Sequence, residues 1–140
     1  MKFKILAATA AMIVAPSVFA MSQQQPTACP EVSAFGQTGV TITAQDQEGR
    51  WFGLQPKSNF NTNTEWSFII GAFDARNTSE ALAKANAAIP TLTYLGGPEQ
   101  LGQNMWMCMY QGADQETFGA TITPALVDGD MQKYVKFMRR

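Results

Sequence analysis

Along the chain, the cleanest alternation of apolar and polar positions is Val40-Thr41-Ile42-Thr43-Ala44, which places Val40, Ile42 and Ala44 on one face of a strand. Asp46-Gln47-Glu48-Gly49 follows with turn residues, and Arg50 to Gln55 returns as a second strand, predicting a hairpin with one apolar face. Pro56 to Thr64 is polar and asparagine-rich, a loop. Trp66 to Phe73 is apolar on both sides, with Trp66, Phe68 and Ile70 opposite Ile69 and Phe73. That pattern predicts a central strand covered on both faces. Asn77-Thr78-Ser79-Glu80 then sets a capping residue three positions before an acid, so a helix starts there and runs to about Ile89, where Pro90 stops it. Leu82, Ala85 and Ile89 share its narrow apolar face. Gly96-Gly97-Pro98 reads as a loop. Asn104 to Gln111 and Glu116 to Thr123 read as two strands around the turn Gly112-Ala113-Asp114-Gln115, with Phe118, Ala120 and Ile122 on one face. After Pro124, Met131, Tyr134, Val135 and Met138 recur at helical spacing and predict a terminal amphipathic helix.

The first 38 residues have a different texture. Lys2 and Lys4 precede an apolar run from Ile5 to Ala15, Pro16 and Ser17 interrupt it, and Val18-Phe19-Ala20 offers small residues at a cleavage site. That order is the signature of a secretory signal, expected to occupy residues 1–20 and to be cut after Ala20. The run is shorter than the roughly 20 residues a membrane span requires, so no stable span is expected. Residues 21–38 form a glutamine-rich lead-in with Pro26 and Pro30 around Cys29. A short helix is expected from Glu31 to Phe35, ended by Gly36 and Gly39. Residues 39–140 then make one compact domain. The expected class is α+β: an antiparallel sheet of about five strands with packed helices, in the order β-β-β-α-β-β-α.

Charge and residue content narrow the chemistry. Loss of Lys2 and Lys4 leaves eight basic residues against eleven acidic ones, a balance with no electrostatic attraction to nucleic acid. An exported protein with two cysteines is expected to join them, here Cys29 with Cys108. The chain has no histidine, which excludes the Ser-His-acid and Cys-His nucleophilic sites and the commonest ligand of zinc and haem iron. Two acid pairs, Asp46 with Glu48 and Asp128 with Asp130, keep a carboxylate-dependent hydrolase formally open, yet both sit beside glycine in turns, where acids serve the backbone.

Met105-Trp106-Met107-Cys108-Met109-Tyr110 is the most unusual segment. In a strand its three methionines face one way and Trp106, Cys108 and Tyr110 the other. Met105, Met107, Met109 and Tyr110 are therefore the candidate contacts for an apolar ligand or haem, against the alternative that the methionines are adaptable core packing. Phe60 and Trp66, flanking an asparagine-rich loop, are candidates for a partner surface. Asn77-Thr78-Ser79 matches a glycosylation acceptor, although the same residues account for the helix cap.

The Cys29-Pro30 segment, the Trp51-Phe52 hairpin, the Trp66-to-Phe73 strand and Met105 to Tyr110 together resemble a Legionella-type family of small exported proteins of unknown function, some labelled haemin-binding. The resemblance implies haem as a ligand and carries no catalytic set. From the residues themselves the expectation is a non-catalytic, exported, periplasmic or secreted binding protein whose partner is a protein or an apolar small molecule.

Overall fold

The computed structural model describes residues 25–127 together with Asp130, Met131 and Val135. The expected signal segment, the acid Asp128, and Tyr134 and Met138 of the terminal helix lie outside the described residues. Six antiparallel strands form one open sheet: β1 Ile42–Gln45, β2 Trp51–Ser58, β3 Trp66–Phe73, β4 Thr93–Gly102, β5 Met105–Gln111 and β6 Phe118–Thr123. Their spatial order is β1-β2-β3-β6-β5-β4. Helices α1 Val32–Thr38 and α2 Thr78–Ala88 accompany them among the described residues, and a short 3-10 turn Ile89–Thr91 carries Pro90 out of α2. The class is α+β, as the pattern predicts.

The strand count is a correction. Gly96-Gly97-Pro98 does not form a loop; it lies inside β4, so three strands follow α2. Pro98 cannot donate to a ladder, but β4 is an edge strand and pairs on one side only. Three register shifts against β5 absorb its surplus residues as bulges. Loop chemistry and bulged-edge chemistry use the same residues, which is why the sequence does not separate them.

Each face of the sheet carries its own core. On one face Trp66, Phe68, Ile70, Cys108 and Tyr110 pack with Phe35 of α1, Ala85 of α2, Ile89 and Leu92. On the other, Phe52, Leu54, Ile69, Phe118 and Ile122 pack with Met131 and Val135. Met131 and Val135 are helical and fully buried, and the Met131 amide donates to Val127 O at 3.0 Å. Central β3 is thus covered on both sides, as its two-faced apolarity requires.

Two residues sit on the face opposite to the one alternation assigns. Val40 does not join Ile42 and Ala44 but enters the first core, because Asn86 of α2 claims its backbone: the Val40 amide donates to Asn86 Oδ1 at 2.9 Å and Asn86 Nδ2 donates to Val40 O at 3.1 Å. Phe73 also packs on the first core, since the pairing moves from Phe52–Gly71 to Trp51–Phe73 and leaves Ala72 as a bulge that turns the strand over.

Helix α2 starts as its capping residues dictate. Asn77 Oδ1 accepts from the Glu80 amide at 2.9 Å, while Glu80 Oε1 reaches back to the Arg76 amide at 2.7 Å rather than to Asn77. Its buried face is Ala81 and Ala85, small enough for close approach to β2. Gly53 completes that approach: a Cβ there would lie 2.8 Å from both Ala85 Cβ and Val40 Cγ2.

Candidate functional site

Residues Thr27 to Glu31 form a strap laid across the end of the first core. Pro26 and Pro30 keep it out of helix until Val32, where α1 begins. Two attachments hold it to β5. The Cys29–Cys108 disulfide, with a Cα–Cα distance of 6.0 Å, is the pairing the sequence predicts. One strand position further along the same face, the Tyr110 hydroxyl donates to Pro30 O at 2.5 Å. Burial pushes the Tyr110 hydroxyl above its ordinary pKa, so it stays a proton donor to the strap. Beneath the strap, the Phe35 ring stacks on Phe68 at 4.1 Å and meets Tyr110 and Phe60 edge-on at 5.0 and 5.1 Å.

The strap is the shared wall of two clefts. One, of about 420 Å³, lies between the strap and β4 and is lined by Ala28, Pro30, Glu31, Val32, Tyr94 and Pro98, with Thr27, Cys29 and Gly97. The other, of about 390 Å³, lies between the strap, the start of α1 and the loop from Phe60 to Asn63. Thr27, Ala28, Cys29 and Glu31 line both. Tyr94 is 55% exposed, but its ring is not free: its hydroxyl bonds Gly97 O, and it meets Tyr110 at 6.0 Å. Gly97 lets β4 come this close. Its φ is +120°, and a Cβ would fall 2.7 Å from Met107 O and 2.9 Å from Cys108 Cα.

The loop wall is rigid for a different reason. Phe60 and Asn61 both adopt left-handed backbone, φ 47° and 64°, which a bulky residue tolerates only where its surroundings fix it. Here the Phe60 ring is packed against Phe35 and Phe68, and the Phe60 amide donates to Ser58 Oγ at 3.2 Å. Phe60 and Trp66, the candidates for a partner surface, are accordingly core residues at 4% and 0% exposure. Trp66 directs its indole N–H to Thr62 Oγ1 at 3.0 Å, inside the loop. The loop offers its asparagines outward and its aromatics inward.

The methionine segment divides as a strand must. Met105, Met107 and Met109 are half-buried against the second core, whereas Cys108 and Tyr110 are buried in the first. The four candidate ligand residues therefore stand on opposite faces of the sheet, and Tyr110 is already bonded to Pro30. They do not form one coordination set for haem iron. Among the described residues, no three Cys, Asp or Glu side chains converge to hold a metal ion.

The acids of the first hairpin act on their own turn. Asp46 Oδ1 accepts from the Glu48 and Arg50 amides at 2.9 and 3.0 Å, and its Oδ2 pairs with the Arg50 guanidinium at 2.8 Å. Burial, the largest single influence, pushes the Asp46 pKa up. The Arg50 and Glu48 amides and the Arg50 guanidinium together outweigh it and hold the carboxyl below its usual range. Glu48 pairs loosely with Arg50 at 3.3 Å, and Asp130 is exposed. The residues the sequence did not single out are Glu31, Val32, Tyr94 and Pro98. For Tyr94 and Pro98 the signal, an aromatic and a proline around Gly96-Gly97, reads equally well as loop chemistry.

A family model described as a domain of unknown function, DUF4949, matches residues 28–140. No curated protein and no solved structure matches the chain.

Proposed function

The chain belongs to the DUF4949 family, and from its own geometry we propose that it is an exported, non-catalytic binding protein that recognises its partner at the strap. The observation that carries this is the pair of clefts sharing Thr27, Ala28, Cys29 and Glu31, walled by an oriented Tyr94 on one side and a fixed asparagine loop on the other. Binding sites concentrate where rigid elements hold a concave, mostly apolar surface with a few polar groups. The disulfide is compatible with an oxidising compartment. Among the described residues no helix is long and apolar enough to cross a membrane.

The test is site-specific photo-cross-linking in the native compartment, with the reactive residue placed at exposed cleft positions Ala28 and Asn61 and, as control, at Glu48. Discrete adducts are expected from Ala28 and Asn61 and not from Glu48, and they should vanish in a Cys29→Ser/Cys108→Ser chain. Equal labelling from Glu48 would overturn the assignment of the site. Turnover in a broad hydrolase screen, abolished by substituting Asp or Glu, would overturn the non-catalytic reading.

Apolar-ligand binding, haem included, is the second reading, supported by the half-buried row of Met105, Met107 and Met109 on β5 and by an exposed apolar side chain, Leu95 at 59%, on the neighbouring edge strand β4. Absorbance titration with haemin separates the two: a saturable change lost on replacing these methionines by leucine favours it, and a nonsaturable change counts against it.

A further inference from the structure

The cleft between the strap and β4 has a definite chemical character. Its walls are Ala28, Pro30, Val32 and Pro98, its platform is the Tyr94 ring, and Glu31 is the one carboxylate in its lining. No lysine or arginine lines this cleft or its neighbour. Among the described residues Glu31 has no ion-pair partner, and it makes no side-chain cap to α1. An exposed carboxylate beside an exposed aromatic face, in an otherwise apolar setting, complements a cation carried on an apolar stem: the carboxylate supplies charge, and the ring quadrupole attracts the cation within about 6 Å. Tyr94 is held in advance by its hydroxyl bond to Gly97 O and its edge contact with Tyr110, so little ordering is left for binding to impose.

The second cleft extends that complementarity along a chain. Glu31 lines both clefts, and across the strap the exposed Asn61 and Asn63 present amide groups suited to a peptide backbone, while the Thr62 hydroxyl is spent inside the loop on Asn59 O, Thr64 and the Trp66 indole. We propose that the strap clefts bind an extended basic peptide segment, placing a Lys or Arg side chain between Tyr94 and Glu31, an adjacent proline or other apolar residue against Pro30, Val32 and Pro98, and its backbone toward the asparagine loop. The ligand class rests on the recognition surface proposed above and names what that surface takes.

The probe is a fluorescein-labelled decapeptide of alternating proline and arginine, titrated into the oxidised full chain and followed by anisotropy. Companion probes are the proline–glutamine and proline–glutamate decapeptides and free arginine. Saturable binding of the basic peptide is expected, weakened by added salt. Tyr94→Ala should weaken it about tenfold through loss of the cation–aromatic contact. Glu31→Gln should weaken it about threefold and flatten the salt dependence. Glu31→Gln should leave the unfolding midpoint unchanged, whereas Tyr94→Ala, which loses its bond to Gly97 O and its contact with Tyr110, should lower it modestly; a single cooperative transition well above the assay temperature confirms that each variant folds. Equal binding of the acidic peptide, or indifference to both substitutions, would overturn the proposal. Free arginine binding as tightly as the peptide would overturn the peptide assignment. Adducts at Ala28 and Asn61 in the native compartment, with no basic-peptide binding, would leave the recognition surface standing and remove only this ligand class.

Discussion

At the scale of single residues, Gly97 is where backbone conformation and site geometry meet. Gly97→Ala places a side chain into the backbone of Met107 and Cys108 at a positive φ, and is expected to destabilise the chain by about 1–3 kcal/mol. Gly96→Ala, with nothing within 4 Å of the added carbon, should be close to neutral; urea unfolding midpoints of the two compare them directly. Tyr110→Phe deletes the donor to Pro30 O and leaves that carbonyl without its partner, a cost of about 1–3 kcal/mol. Asp46 makes the acid side of the stability profile legible. Its folded pKa lies below the ordinary 3.8, so the stability it contributes is complete above that value and drains away as pH falls through the folded pKa. Asp46→Asn should therefore be less stable than the parent at neutral pH and show a shallower loss below about pH 4, read by thermal unfolding across pH.

At the scale of elements, the sequence was most legible where one influence governed. β3 is apolar on both faces and is central; Asn77 and Glu80 mark the start of α2 and cap it; Cys108 stands with Tyr110, away from the methionines. Legibility failed where a tertiary partner intervened. Val40 alternates in phase with Ile42 yet crosses to the other core because Asn86 captures its backbone from 46 positions away. Asn86→Ala should release Val40 and cost about 1–3 kcal/mol, with faster amide exchange at Val40 as its specific mark. β4 escaped for the opposite reason: its glycines and proline are right for a loop, and only its edge position makes them right for a bulged strand. With β4 went Tyr94 and Pro98, half of the candidate site. Phe60 and Trp66 were misplaced because an asparagine-rich loop says nothing of the inward direction of its aromatics.

At the scale of the whole molecule, the strap that shapes the clefts rests on the first core, and the second core lies on the opposite face of the sheet. The strap's hold on the sheet is the Cys29–Cys108 bond across 79 positions and the Tyr110–Pro30 bond beside it. Reduction should lower the unfolding free energy by about 2–4 kcal/mol, chiefly through the greater freedom of the unfolded chain. Ile69 of β3 and Phe118 and Ile122 of β6 pack in the second core, on the face of the sheet away from that bond. The most direct measurement is amide hydrogen exchange on the oxidised and reduced chains under native conditions. Reduction is predicted to speed exchange at Ala28, Cys29, Glu31 and through α1, while Phe68 to Ile70 and Gly119 to Ile122 keep their protection. Unchanged exchange at the strap, or loss of protection throughout β3 and β6, would contradict a strap that is fastened to an independently stable sheet.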